Sequence, residues 1–499
     1  MKFTVLFFSF FFLNPFSQPG ERKVISHAVF VDKIRGGWAG QYFGASFSAQ
    51  PPVFASVDSL SIVNSTASFI EATQSDPKNL IANIYPDLLY LSIIDEHGTK
   101  IEQPLAERLG SSHFLTGHAI QTAGYNLRSG MTSPSSGRWT NNPHAEDPDF
   151  AKAADVLGLL MPGMPRTLSR ISDPIGHMTN TGEGYYGGLY IATLNSLAFI
   201  YKNPSEIVSK ALANLPEKSE YRKCLEDVVL QAKQHPDQWI KNWNYLSREW
   251  KKHTGCPFNP SSMESDARIY TAFVTMVFLA GEGDLTKTLE IATAFPGGHQ
   301  VLPTVLGLLG VINGFEHFPA DWQIHFDSIA DVRLHESLPT LNEACDLSVK
   351  NALKHIEANG GKEKQDGDLV IRVQHASSHH YELGFEGHYI ATVQSFNTRI
   401  NDQFEFEFEG VGFVLHADSL SFLETDEIAF AELYLNNKYV DRIAIPGDKN
   451  QSASDLCWRL QLPHKKYRAK IKLLRSKGAP SFRVTNLVVY DVMPRINER

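Results

Sequence analysis

The hydrophobic period of this chain changes once, and that change limits what it can fold into. Over residues 32–356 apolar residues recur at helical spacing, whereas beyond 368 they alternate. Asn203-Pro204-Ser205-Glu206 gives a capping amide, a first-turn proline and an acid three residues on. Ile207, Val208, Ala211, Leu212 and Leu215 then line one face of the helix that follows. Residues 270–279 and 305–312 are apolar nearly all round, so they belong at the centre of a helical domain. Asp32 to Gly40 reads as a capped helix whose glycines permit close approach of a neighbour. There is no internal repeat.

Residues 357–368, with Asn359-Gly360-Gly361 and mixed charges, read as a linker. Phe404-Glu405-Phe406-Glu407-Phe408-Glu409 then alternates strictly, as a half-buried strand does. Residues 428–435 and 439–445 flank the turn signal Asn436-Asn437, and further short strands fall at 457–462, 467–474 and 482–490. The expected architecture is therefore multidomain: a large all-α domain over 32–356, the linker 357–368, and a small all-β sandwich over 369–494.

The first residues set a second expectation. Lys2 precedes an apolar run over residues 3–13, then Asn14-Pro15 and small polar residues. This is the pattern of a secretory leader over residues 1–19. It is shorter than the roughly 20 residues a membrane span needs. A soluble, exported protein, secreted or periplasmic, is expected. The net charge of −9 argues against general nucleic-acid binding, which needs a basic face. Cys224, Cys256, Cys345 and Cys457 lack zinc-site spacing, and buried thiols are expected rather than a disulfide framework.

Chemistry concentrates in 136–188. Asn141-Asn142-Pro143-His144-Ala145-Glu146-Asp147-Pro148-Asp149 is followed by Ile175 to Gly188, which includes His177, Asn180, Glu183, Tyr185 and Tyr186. Two carboxyl groups suffice to hydrolyse a glycosidic bond. Glu146 and Asp147 are the first choices, in a proline-bounded loop behind His144. Glu183 sits between glycines that let backbone approach a ligand, and Asp87 is a further candidate. Asp149 and Asp173 complete the acidic set. Asn141, Asn142, His144, His177, Asn180, Tyr185 and Tyr186 suit sugar hydroxyls and ring faces.

Each residue has a plainer role as well. Asp147-Pro148-Asp149 suits a helix start, and Glu183 and Asp87 suit caps. Asparagine clusters make turns. His177 suits a backbone carbonyl, and Trp139, Tyr185 and Tyr186 suit a core. Trp239, Trp243 and Trp250 read as packing. His379-His380 has the look of a metal pair, but adjacent strand residues face opposite ways. Lys465, Lys466, Lys470 and Lys472 read as a solvent face.

The helical part resembles the ADP-ribosylglycohydrolase family, in its exported branch with an added β domain. Arg35-Gly36-Gly37-Trp38-Ala39-Gly40-Gln41-Tyr42-Phe43-Gly44 is similar to that family's first helix, and 141–149 and 175–188 to its sugar-side loops. The β domain resembles galactose-binding-like sandwiches. The family resemblance implies a pair of magnesium ions held between an early and a late acidic cluster. Here the early acid pair reads Ala82-Asn83, leaving Asp87, and Gly297 and His299 stand at the late acids. No cofactor is therefore expected, with Asp87 and His299 only weak metal candidates. The reading that follows is a glycoside hydrolase-like protein acting on a glycan fragment or small glycoside. A non-catalytic carbohydrate-binding protein is the alternative, and an ADP-ribosyl hydrolase with a rebuilt metal site is the third.

Overall fold

The computed structural model describes residues 21–48, 77–98, 100–111, 117–250, 266–333, 335–376, 381–382, 389–400, 402–419, 429–445, 453–474 and 482–492. The leader-like residues 1–19, Cys256 and His379-His380 lie outside them.

A strand, β1 (Arg22–Ser26), leads into α1 (His27–Ser48), α2 (Pro77–His97), α3 (Glu102–Ser111) and α4 (His118–Arg128). A long polar loop separates α4 from α5 (Asp149–Ala153) and α6 (Asp155–Leu160). Next come α7 (Pro165–Gly176), α8 (Glu183–Ala198), α9 (Pro204–Leu212), α10 (Glu220–Gln234) and α11 (Trp239–Trp250). The domain closes with α12 (Ala267–Gly281), α13 (Leu285–Thr293), α14 (Leu302–Asn313), α15 (Ala320–Ile329) and α16 (Leu341–Ala358). Among the described residues, no helix is long and apolar enough to cross a membrane.

The axis of this domain is the pair α1 and α14. A Cβ on Gly40 would stand 2.1 Å from the Leu306 carbonyl oxygen, and one on Gly36 2.3 Å from that of Gly310. Backbone therefore touches backbone along this seam, and only glycine fits. The helix begins earlier than Asp32: Ser26 Oγ accepts from Val29 N at 3.3 Å, while Asp32 Oδ1 accepts from Glu316 N at 3.2 Å. The carboxylate expected as a cap ties the helix to a distant turn instead.

Lys33 fixes a second junction. Its buried ammonium donates to Ala198 O (3.2 Å), Val311 O (2.6 Å) and Ile312 O (2.8 Å). Those carbonyls end α8 and α14, where helices leave acceptors unpaired. Burial pulls its pKa down to about 8, so it still carries charge at neutral pH. Asn203 caps α9 as its sequence promised, accepting from Glu206 N at 3.1 Å. Trp243 packs on Phe273 with ring centroids 4.6 Å apart, as core rather than platform.

Residues 357–368 do more than link. β2 (Lys362–Glu363) and β3 (Asp368–Arg372) join β1 in a three-stranded sheet of order β1-β3-β2. Leu369 and Ile371 are fully buried in the helical core, so these strands belong to that domain. The sandwich proper starts later.

It consists of β4 (Tyr389–Ile400), β5 (Gln403–Gly410), β6 (Gly412–Ser419), β7 (Ala429–Leu435), β8 (Lys438–Ile445), β9 (Ala453–Arg459), β10 (Lys465–Leu474) and β11 (Phe482–Val492). One antiparallel sheet runs β5-β10-β7-β8 and the other β4-β11-β6-β9. Phe404, Phe406 and Phe408 point inward while their glutamates face out. Asn436 and Asn437 both take positive φ (50° and 65°), as a two-residue hairpin turn requires. Cys224, Cys345 and Cys457 are buried free thiols.

Two outcomes follow from the helical packing. Gly40→Ala should destabilise the protein by about 3 kcal/mol or more, since backbone must move to admit a methyl group. Lys33→Met, which leaves helix-end carbonyls without their donor, should cost about 2–4 kcal/mol. Chemical unfolding of both variants measures each loss.

Candidate functional site

The loops picked out in the sequence do fold together. Asn142 Nδ2 donates to Ala119 O (2.9 Å) and Thr179 O (3.0 Å). Asn180 Nδ2 donates to Ala145 O (3.1 Å) and Asp147 O (2.9 Å). Ser136 Oγ donates to Met178 O at 2.8 Å, and Trp139 N to Thr181 Oγ1 at 3.1 Å. Loop 136–147 is thereby laced to loop 176–184. The cost of this lacing is that Asn142 and Asn180 are fully buried, their amides spent on backbone. They scaffold the loops and do not present themselves to a ligand.

Glu183 is also committed within the fold. Its Oε1 accepts from Tyr221 N at 3.1 Å, and its Oε2 lies 3.1 Å from Arg268 Nε. It helps to cap α10 rather than its own helix. Glu146, nearly buried, receives Ala267 N on its backbone oxygen at 3.0 Å, which ties the loop to the start of α12. Asn141 Nδ2 turns back to Ser135 O at 2.9 Å, and its own carbonyl accepts from Asn126 Nδ2 at 3.0 Å.

His177 stacks on Tyr185, centroids 4.1 Å apart. Its Nδ1 meets Asp173 O at 2.9 Å, the carbonyl contact expected of it, and its Nε2 meets Glu382 at 3.0 Å. Hydrogen bonds to Asp173 and Glu382 outweigh burial and raise its pKa to about 10. Tyr186 Oη accepts from Glu382 N at 2.7 Å. The segment at residues 381–382 thus crosses the glycine-rich loop. Asp173 itself is largely exposed.

Three of the acids, by contrast, meet groups of functional character. His144 stands between two carboxylates: Nδ1 is 2.9 Å from Asp147 Oδ2 and Nε2 is 2.7 Å from Asp455 Oδ2. Burial opposes charge on His144, but Asp455 and Asp147 overcome it and hold the ring protonated well above its ordinary range. Asp147 is driven the other way. Burial would raise it, yet His144 and His118 keep it ionised. Asp149, two residues on, accepts from Ala119 N at 2.6 Å and has a raised pKa through burial and the Asp147 charge.

Behind this loop lies a buried pair of carboxyl groups, Asp87 and Asp155. Asp87 on α2 accepts from Val156 N at 3.3 Å, at the start of the helix that carries Asp155. Asn195 Nδ2 donates to Asp155 Oδ1 at 2.7 Å, and Thr304 Oγ1 lies 3.5 Å from Asp155 Oδ2. Burial lifts Asp155 to about 7, and burial with the Asp155 charge raises Asp87 as well. Tyr90, one turn beyond Asp87, and Tyr270, hydrogen-bonded to Thr304 at 2.9 Å, both feel the Asp87 charge. The Tyr90 hydroxyl and Asn195 Oδ1 are buried and have no protein partner among the described residues. Buried polar atoms left unpaired are rare, and they concentrate where a ligand or water completes them.

The pair of magnesium ions implied by the family resemblance does not fit what is present. Its late side offers Gly297, which has no side chain, and His299, whose carbonyl oxygen already accepts from Ser48 Oγ at 2.6 Å. Magnesium takes oxygen ligands in a near-octahedral shell, and neither late position supplies a carboxylate.

His118, Asp155, Arg268, Glu382, Asp455 and His416 were not legible as site residues. Asp155 alone carried a signal, as a lone carboxylate at the head of the apolar run Val156 to Leu160. The others lie on separate elements and meet only through the fold.

The model of the ADP-ribosylglycohydrolase family matches residues 27–348. Among solved structures, the chain is similar to an ADP-ribosylglycohydrolase-related protein complex at 15% identity, covering 66% of this chain and 99% of that one, with a TM-score of 0.36. It is also similar to a family GH115 4-O-methyl-α-glucuronidase with specificity for decorated arabinogalactans, at 10% identity, 63% and 41% coverage and a TM-score of 0.16. At these scores neither likeness bears on activity. No curated protein matches the chain. The family match spans well over half the sequence and ends within α16, inside the helical domain: the chain belongs to the ADP-ribosylglycohydrolase family.

Proposed function

We propose that the helical domain hydrolyses a glycosidic bond, with Asp87 and Asp155 as its working carboxyl pair. One observation carries this reading: two interacting carboxyl groups are buried together near the Tyr90 hydroxyl and Asn195 Oδ1, which have no protein partner among the described residues. Like charges in a dry site do not ionise together, so the pair retains a proton near neutrality. The protonated member can donate to the leaving oxygen while the ionised one takes a proton from attacking water. Asn195, bonded to Asp155, orients that carboxyl group. No step needs the family's magnesium pair.

The proposed substrate is a glycan fragment or small glycoside met outside the cytoplasm, in a secreted or periplasmic setting. The leader-like pattern of residues 1–19 and a β-sandwich resembling carbohydrate-binding modules support this. A second reading, a non-catalytic carbohydrate-binding protein, is favoured by a separate observation: the family's acidic positions are replaced by Ala82-Asn83 on the early side and by Gly297 and His299 on the late side.

Asp87→Asn and Asp155→Asn should each lower turnover by about 10²–10⁴-fold with the fold intact. Release of reducing sugar from a panel of glycosides measures this. Sugar binding by the wild type without any release would hand the case to the second reading.

Stability should move the opposite way. The pKa of Asp155 rises from 3.8 to about 7 on folding, so the folded state binds the extra proton. Its contribution therefore declines as pH climbs through that window. Asp155→Asn escapes this loss, so its melting temperature should exceed the wild-type value above pH 7, with the gain vanishing near pH 4. Thermal unfolding across pH tests it.

A further inference from the structure

A second cluster, separate from the buried Asp87–Asp155 pair, joins the two domains. Ligand atoms of His118, His144 and Asp147 all lie within 4.8 Å of one another. Asp147 Oδ2 is 2.9 Å from His144 Nδ1 and 3.4 Å from His118 Nδ1. Two donors on a tetrahedral zinc ion, with bonds of about 2.0–2.1 Å, stand roughly 3.3 Å apart. The two separations that involve Asp147 are thus already close to those of a coordination shell.

What lies behind them fits as well. The far nitrogen of His144 meets Asp455 Oδ2 at 2.7 Å, and Asp455 Oδ1 lies 3.0 Å from His416 Nε2. Metal-bound histidines ordinarily place their other nitrogen on a carboxylate, which fixes the tautomer and strengthens the ligand. Asp455 and His416 face each other on β9 and β6 of the sandwich, whereas all three ligands belong to the helical domain. Asp149 adds a further carboxyl group beside the cluster, its Oδ2 taken by Ala119 N. The His144 and Asp147 side chains are 3% and 2% exposed, against 43% for His118. The cluster is thus walled on the protein side and reachable from the His118 side.

Two imidazoles and one carboxylate suit zinc and its neighbours rather than magnesium. We propose that His118, His144 and Asp147 bind one zinc-class transition ion, with Asp455 of the β-sandwich as the carboxylate behind His144. The ion then pins the sandwich to the helical domain. Its fourth position, on the His118 side, is left to water.

The test uses the full chain, stripped with EDTA, dialysed and titrated with zinc chloride by calorimetry. Bound metal is counted by mass spectrometry, and cobalt(II) in place of zinc reports the geometry by its visible absorption. One equivalent of zinc and a tetrahedral cobalt spectrum are expected. His118→Gln, at a partly exposed position that leaves the core untouched, should weaken binding at least tenfold. Asp455→Asn should weaken it roughly 10–100-fold, the usual effect of losing such an outer partner. Zinc should also raise the melting temperature of wild type but not of His118→Gln. Failure to take up zinc would overturn the proposal, as would His118→Gln and Asp455→Asn both binding like wild type. Zinc uptake is read without substrate, so its failure is distinguishable from failure of the hydrolase reading.

Discussion

The contact on which the helical domain depends is the bare backbone seam between α1 and α14. Gly36 and Gly40 on one helix leave the carbonyls of Gly310 and Leu306 on the other within touching distance. Two helices that close share a single wall, and Phe43, Trp38 and Val305 are buried around it. Lys33, on the same α1, fastens the ends of α8 and α14 to this wall through three carbonyls. α8 then presents Asn195 to Asp155, and α14 presents Thr304. The surroundings of the buried pair are therefore set by helix-end contacts about one to two turns away.

The polar loops answer to a different logic. A buried loop must satisfy its own backbone groups, because water cannot reach them. The asparagines and Ser136 do that work here, donating to carbonyls across the gap between 136–147 and 176–184. The same side chains that look suited to sugar hydroxyls thus serve as internal ties. Carboxyl groups behave otherwise. Asp147 is kept charged by two histidines, while burial pushes Asp155 toward the protonated form, burial and the Asp155 charge push Asp87, and burial and the Asp147 charge push Asp149. Acids of such contrasting state within one region are a feature of sites that move protons.

The β-sandwich is more than an appended module. Trp458 donates its indole N–H to Asn141 O at 3.3 Å and packs edge-on against Tyr125. Trp139 lies against the small cluster of Val411, Val414, Val488 and Tyr490. With the His144–Asp455 contact, these place the sandwich directly on the loop that carries the acids. A charged bond buried between two domains costs much to break, since each partner would be left unpaired.

The sequence by itself determined the class of each half. Helical spacing before residue 357 and alternation after 402 left only a helical domain and a sandwich, because each period buries one face of one kind of element. It also determined local features that depend on near neighbours: the Asn203 cap, the Asn436-Asn437 turn, the inward phenylalanines of β5, and the membership of 136–188 in one polar region. Only the tertiary structure decided which polar residues are free to act. Asn142 and Glu183 carry the same chemistry in sequence whether they meet a sugar or a buried carbonyl or arginine. That choice is made by Thr179, Ala119 and Arg268, far along the chain. Asp155 became the partner of Asp87, and Asp455 the partner of His144, for the same reason. Side-chain chemistry is written residue by residue, but desolvation and pairing are properties of the packed molecule, and those two terms set which carboxyl group is charged, which is protonated and which is merely structural.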